Sequence, residues 1–367
     1  MKYYLICGER SGDLHSSNLI KEIKSLDPEA SFRGMGGDYS SNAGLELVAH
    51  YQDVSVMGFL EVLLGFRKIY RYLSQIKKDL LKFRPDALIL VDFGGFNMKI
   101  AAFAKSHKIK VHYYIPPKVW AWNQKRALNI KKYTDKVYSI LPFEPEFYHK
   151  FGVKSEYVGN PLLDEIANFE PHAFFHQKNE LNYQPIIALL PGSRKQELDN
   201  MLQVMLSLVN KFPNAQFVIA GVSNVKPDAY RPAIEAGIRI VFDQTYDLLH
   251  HATAAIVTSG TATLETALFR VPQVVVYKTS WLSYIIAKRL IRVPYIGLVN
   301  LIADREVVRE LIQTDFNSDT VAGELNKLLS DIHKKAEVLQ GYNLVKERLG
   351  ENSASKVVAS LIFDSSN

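Results

Sequence analysis

The chain has 367 residues, a formal net charge of +6 and 22% charged residues, which is enough length for two domains with sizeable cores and a globular rather than disordered composition. Its single cysteine, Cys7, excludes an intramolecular disulfide and points to a reducing compartment. No run approaches the roughly 18 apolar residues of a spanning helix, and Tyr3–Cys7 is too short for a signal-peptide core, so a cytosolic protein is expected.

Tyr3–Cys7 reads as a strand and Leu14–Lys24 as a helix. Between them, Gly8-Glu9-Arg10-Ser11-Gly12-Asp13 is either a glycine turn with Ser11 or Asp13 capping the next helix, or a ligand loop. Gly34-Met35-Gly36-Gly37 follows a second strand-like run and reads as a tight turn or as room for a bulky ligand. Val56–Leu64 is unusually apolar. Phe66–Arg84 then carries Arg67, Lys68, Arg71, Lys77, Lys78, Lys82 and Arg84 against Asp79 alone, with apolar residues recurring at three and four. This is a helix with a solvated basic face, or a face for anionic lipid headgroups.

Ala87–Val91, Lys110–Ile115 and Lys136–Ile140 read as further strands, with a helix at Asn97–His107. Asp92 follows the first of these strands beside Gly94-Gly95. It is placed to take a proton from a hydroxyl, or else is a cap or turn residue. Asp86, at the other end, reads as structural. Pro116-Pro117 stops a strand abruptly, and Trp120 and Trp122, two apart, cannot share a helical face. They form a structural cluster or a cleft wall, and Lys125 and Arg126 could meet an acceptor phosphate.

The pattern loosens at Gly159-Asn160-Pro161 and through Asn168–Tyr183, where the interdomain linker is placed. It restarts with Ile186–Leu190, Gln216–Ala220, Ile238–Phe242, Ala254–Thr258 and Gln273–Tyr277. Ser318–Phe363 is helical in pattern. Apolar strands alternating with helices imply an α/β fold of two tandem, doubly wound domains, with ligands at the carboxyl ends of the strands across a central cleft. The expected divisions are 1–165, 184–340 and a helical tail, 341–367, which packs back on the first domain or exchanges with a second chain in a homodimer.

Two loops of the second half are built alike. Leu190-Pro191-Gly192-Ser193-Arg194 and Ser259-Gly260-Thr261-Ala262-Thr263-Leu264-Glu265 each follow an apolar strand and open a helix, expected at Gln196–Phe212 and Leu264–Arg270. Each is an ordinary capped turn or an anion site using backbone N–H groups and the helix dipole. As a pair they suggest a nucleotide diphosphate, with Arg194 offering a donor fork and Glu265 taking sugar hydroxyls. Neither fits a P-loop or a dinucleotide fingerprint. Trp281–Gly297 again mixes apolar residues with Lys288, Arg289 and Arg292, favouring peripheral membrane contact, with packed core helices as the alternative. No cofactor, metal site or nucleic-acid signature is found.

Taken in order, these segments resemble lipid-A-disaccharide synthase, a family of inverting GT-B glycosyltransferases with two Rossmann-like domains. The likeness rests on Gly8-Glu9-x-Ser11-Gly12-Asp13, Val56-Met57-Gly58 with Glu61-Val62-Leu63, Asp92 to Asn97, and Pro117-x-Val119-Trp120-Ala121-Trp122 with Lys125-Arg126. It continues through Leu141-Pro142-Phe143-Glu144, Val158-Gly159, Leu190 to Arg194, Ser259 to Glu265, Ala287-Lys288-Arg289-Leu290 and Asn300-Leu301. The chain departs at Gly94-Gly95, where the family has Pro-Asp, at Pro116-Pro117-Lys118 and at Val299.

The resemblance implies transfer from UDP-2,3-diacylglucosamine to 2,3-diacylglucosamine 1-phosphate, giving a β-1,6-linked disaccharide and UDP. It implies a cytoplasmic protein on the inner face of the bacterial membrane. Asp92 becomes the base. Gly192, Ser193, Arg194, Ser259, Gly260, Thr261, Ala262 and Thr263 become the diphosphate site, with Glu265 on the ribose. Ser11, Asp13, Lys125, Arg126 and Asn300 become sugar or phosphate contacts. The rival readings are another GT-B enzyme of UDP-sugars, such as an N-acetylglucosaminyltransferase or epimerase, and a non-catalytic UDP-sugar or lipid-binding protein.

Overall fold

The apolar runs become parallel strands buried on both faces. The computed structural model describes residues 1–54 and 59–366, with side chains described outside 59–66 and 366. The chain divides into two units, Met1–Glu165 with Leu349–Asn367, and Ile166–Arg348.

The first unit holds seven parallel strands: β1 (Lys2–Cys7), β2 (Ser31–Gly36), β3 (Leu45–His50), β4 (Ala87–Val91), β5 (Lys110–Tyr114), β6 (Lys136–Ser139) and β7 (Ser155–Tyr157). Their order is β3-β2-β1-β4-β5-β6-β7. Alternation along β1 and β4 supplies two cores. Tyr4, Ile6, Leu88 and Leu90 meet Leu73, Ile76 and Leu80 of the helix Phe59–Phe83. Tyr3, Leu5, Ile89 and Val91 meet Leu19, Ile20 and Ile23 of the helix Arg10–Leu26, and Val358, Ala359 and Ile362 of the last helix, Ala354–Ser366. The basic helix thus buries the apolar stripe read from its spacing. The Ser55–Gly58 part of the apolar segment lies outside the described residues.

The second unit holds β8 (Ile186–Leu190), β9 (Gln216–Gly221), β10 (Arg239–Phe242), β11 (Ala252–Thr258), β12 (Gln273–Tyr277) and β13 (Glu310–Ile312). All are parallel, in the order β10-β9-β8-β11-β12-β13. In each sheet the direction of winding reverses between two central strands, β1 and β4 or β8 and β11. Such a reversal leaves a crevice at the strands' carboxyl ends.

Several boundaries differ from expectation. β3, β7 and β13 carry no clear apolar run; they are short or edge strands, where one face needs little burial. Gly34 and Gly36 lie inside β2 rather than after it. Gly34 has φ +150, and a Cβ there would stand 1.9 Å from the Leu5 carbonyl oxygen. The stretch read as linker contains the helices Pro161–Ala167 and Phe175–Lys178. The C-terminal stretch is three helices, Ser318–Ser330, Ile332–Leu349 and Ala354–Ser366. Among the described residues no helix is long and apolar enough to cross a membrane.

Candidate active site

At the carboxyl end of the first sheet, the loops after β1, β4 and β5 lie side by side. Asp92 and Phe93 both adopt left-handed backbone, φ 48 and 47, and so does the β-branched Ile115, φ 56, on the neighbouring strand's exit. Three non-glycine residues of this kind in adjoining loops mark stored strain, at about 1 kcal/mol or more each. The surroundings hold it in place. The Asp92 carbonyl accepts from the Tyr113 hydroxyl at 2.7 Å and the Asn97 side-chain amide at 2.8 Å. Asn97 is fully buried. Phe93 lies over Gly8, where a Cβ would meet its ring at 2.1 Å.

Burial pushes the Asp92 carboxyl above its ordinary range, against the opposing pull of Lys118, the Phe93 N–H and His15. A partly buried carboxylate with raised proton affinity suits removal of a hydroxyl proton. Asp86 accepts from the Lys2 N–H at 2.8 Å, the structural role read for it.

The next loop is fastened by Glu144, which is 1% exposed. Its carboxylate accepts from the Trp120 indole at 2.9 Å and from the Ile140 and Leu141 N–H groups, each at 3.1 Å. Burial nonetheless pushes its pKa up to about 7. Trp120 is therefore structural. Trp122 is 47% exposed and stacks under the Arg126 guanidinium at 5.8 Å. Lys125 and Ser11 are exposed.

Asp13 does not cap its own helix, which begins earlier than expected, at Arg10. It is 1% exposed and accepts from the Gly37, Tyr39 and Ser40 N–H groups at 2.8, 3.0 and 3.1 Å. These donors open the helix Asp38–Ala43, so Asp13 caps that neighbour across space. The carboxylate is spent, which corrects its reading as a sugar contact.

In the second unit the two glycine loops stand side by side because β8 and β11 are neighbours. Their equivalence in sequence does not survive. After β8, Gly192 has φ +109. The Glu197 carboxylate accepts from the Ser193 N–H at 2.9 Å and the Arg194 N–H at 3.3 Å. An acid three residues into the helix Lys195–Leu206 therefore fills the place an anion would take. This corrects the reading of the Ser193 backbone as an open cradle. The Arg194 side chain remains 74% exposed.

After β11, the Ser259 hydroxyl donates to the Ile296 carbonyl at 2.8 Å. Thr263 donates to Gly260 O at 2.8 Å and accepts from Leu298 N at 3.2 Å. These two side chains shape the loop. A Cβ on Gly260 would meet nothing within 4 Å. Among the described residues, the Thr261 and Ala262 N–H groups that open the helix Thr261–Leu268 have no acceptor. That is the geometry of an anion site. Glu265 begins the second turn rather than lying in the first, and accepts from the Tyr246 hydroxyl at 3.3 Å.

Asn300 is fully buried. Its amide donates to Val308 O at 2.8 Å and to Glu310 at 2.9 Å, and its oxygen accepts from Val307 N and Val308 N at 2.8 and 3.0 Å. It braces the loops around β13, which corrects its reading as a substrate contact. Glu310 shares the task, accepting from Ile296 N and Gly297 N at 2.9 Å.

Sequence reasoning gave no role to His15, Lys118, Glu144, Glu197 or Glu310. Glu144 stands in a segment quoted for the resemblance, and Glu197 matches the capping-box spacing. The other three carry no local signal, since their partners are distant in sequence.

The family model described as lipid-A-disaccharide synthetase matches residues 3–362. Lipid-A-disaccharide synthase of Syntrophotalea carbinolica is 40% identical over 373 residues, covering 98% of this chain and 94% of its own. That of Geobacter metallireducens is 37% identical, covering 98% and 96%, and that of Coxiella burnetii 35%, covering 98% and 98%. Among solved structures, a putative UDP-N-acetylglucosamine 2-epimerase from Listeria monocytogenes superposes with a TM-score of 0.69 at 12% identity, covering 100% of this chain and 97% of its own. The glycotransferase of kitacinnamycin gives 0.64 at 12% identity, covering 100% and 99%. At such identities these two establish the fold, a GT-B arrangement of two Rossmann-like units.

Proposed function

The chain belongs to the lipid-A-disaccharide synthetase family, and from that premise we propose how its two sheets divide the reaction. The protein is a glycosyltransferase of lipid A synthesis. It joins UDP-2,3-diacylglucosamine to 2,3-diacylglucosamine 1-phosphate, giving the lipid A disaccharide 1-phosphate and UDP. The observation that carries the reading is the family match over residues 3–362. The epimerase alternative rests on fold alone.

Transfer proceeds with inversion. The acceptor hydroxyl forms the new bond to the donor sugar carbon, its proton passes to Asp92, and the sugar–diphosphate bond breaks with its electron pair leaving on UDP. The Thr261 and Ala262 N–H groups, the dipole of their helix and the exposed Arg194 stabilise the departing charge. Gly260 keeps that approach open, Gly192 leaves room for the Glu197 carboxylate that closes the other loop, and Glu265 takes the ribose hydroxyls. Lys125, Arg126 and Ser11 meet the acceptor. No metal is required for any of these steps.

Peripheral contact with the inner face of the cytoplasmic membrane is supported by the helix Trp281–Leu290. Trp281 is 60% exposed and Leu282 70%, beside Lys288 and Arg289. Apolar side chains flanked by bases suit an anionic lipid surface. The test is UDP release from the donor with and without the acceptor. Release that ignores the acceptor contradicts the reading.

A further inference from the structure

Gly12 is where the helix Arg10–Leu26 rests on the sheet. A Cβ there would stand 3.4 Å from Cys7 Cβ and 3.9 Å from Val91 Cγ1, at the ends of β1 and β4. His15 lies one turn further on, on the same side of that helix. Asp92 is the residue after Val91, and the two groups are within Coulombic reach.

The ring of His15 is held. Its Nδ1 is 3.1 Å from Glu165 Oε1, and the two side chains are only 12% and 15% exposed. The two atoms are close without an aligned hydrogen bond between them. The neighbouring acid, Asp164, is engaged by the Ser355 hydroxyl at 2.9 Å. Lys118, which is exposed, and Tyr113 also act on Asp92, and Arg126 acts on Tyr113. The pair stands where the helix Arg10–Leu26 meets the ends of β1 and β4, within Coulombic reach of Asp92.

We propose that His15, held by Glu165, is a positioning residue for the acceptor-site base, placed on the helix that rests on the end of the strand before Asp92 so that it favours the carboxylate form that takes the acceptor hydroxyl's proton. The proposal rests on Asp92 being the base. The proton leaves the hydroxyl for Asp92 as the new carbon–oxygen bond forms and the bond to UDP breaks. His15 touches neither substrate.

The experiment is the pH profile of kcat/KM for the full chain as wild type, H15Q, H15K, D92N and H15Q/D92N, with UDP affinity and Tm as folding controls. H15Q moves the acid limb up by about 0.5–1 pH unit, because an uncompensated carboxylate in a partly buried site holds its proton more tightly. H15K, which supplies a cation at the same position, leaves the limb near the wild-type position. In the D92N background H15Q costs nothing further. An unmoved limb in H15Q, equal limbs in H15Q and H15K displaced together, or an undiminished cost in D92N overturns the proposal while leaving Asp92 as base. Wild-type turnover in D92N overturns the Asp92 reading itself.

Discussion

The first sheet presents side chains at its carboxyl end, and the second presents backbone. Around Asp92 stand three left-handed residues and two carboxyls of raised proton affinity, Asp92 partly buried and Glu144 buried, braced by Tyr113, Asn97 and Trp120. Around Gly260, the functional groups are peptide N–H groups on an open turn, with the side chains of Ser259 and Thr263 turned inward. A proton acceptor needs a tuned titratable group; a diphosphate needs fixed donors. The first is expensive to build and is braced from several strands, while the second follows from a glycine and a helix start.

The largest break in this contrast comes from D92N. It should lower turnover by about 100-fold or more with UDP binding retained, since only proton transfer is removed. Steady-state kinetics beside equilibrium UDP binding check it. R194A acts on the other sheet and on the other quantity. It should weaken UDP binding by about tenfold, the loss of a charge-assisted contact, with folding unchanged. Calorimetry of UDP binding reads this directly.

Glu144 sharpens the contrast through pH. Its pKa is raised in the fold from 4.5 to about 7. The folded state therefore keeps a proton that the unfolded chain releases. The stability from this group is full below about 4.5 and lost as pH rises to about 7. E144Q should flatten that slope in denaturant melts across this window. The smallest effect is that of E197A. Removing the carboxylate that fills the Ser193 and Arg194 N–H groups should cost about 1 kcal/mol of stability and leave UDP affinity equal or tighter. A weaker affinity would assign Glu197 to the ligand.

The sheets were legible because their central strands are unbroken apolar runs. Ala87–Val91 and Gln273–Tyr277 match residue for residue. β3, β7 and β13 were not, because edge strands are half-exposed and carry no such run. Within the site, Asp92, Gly192 and Gly260 stood out through local context. Asp13 and Asn300 stood out equally, yet their polar atoms are consumed by donors 24 residues or more away for Asp13, and by the loop ahead of β13 for Asn300. Sequence context shows which polar residues are unusual; tertiary hydrogen bonding decides which remain available. The pair His15–Glu165 joins helices far apart in the chain and leaves no trace at either position.

The most direct measurement is UDP release by the purified protein in EDTA and mild detergent, with UDP-2,3-diacylglucosamine alone and with 2,3-diacylglucosamine 1-phosphate added. Release that depends on the acceptor and is indifferent to EDTA, with the disaccharide as product, is the predicted result. No acceptor-dependent release from a folded, UDP-binding protein would contradict it.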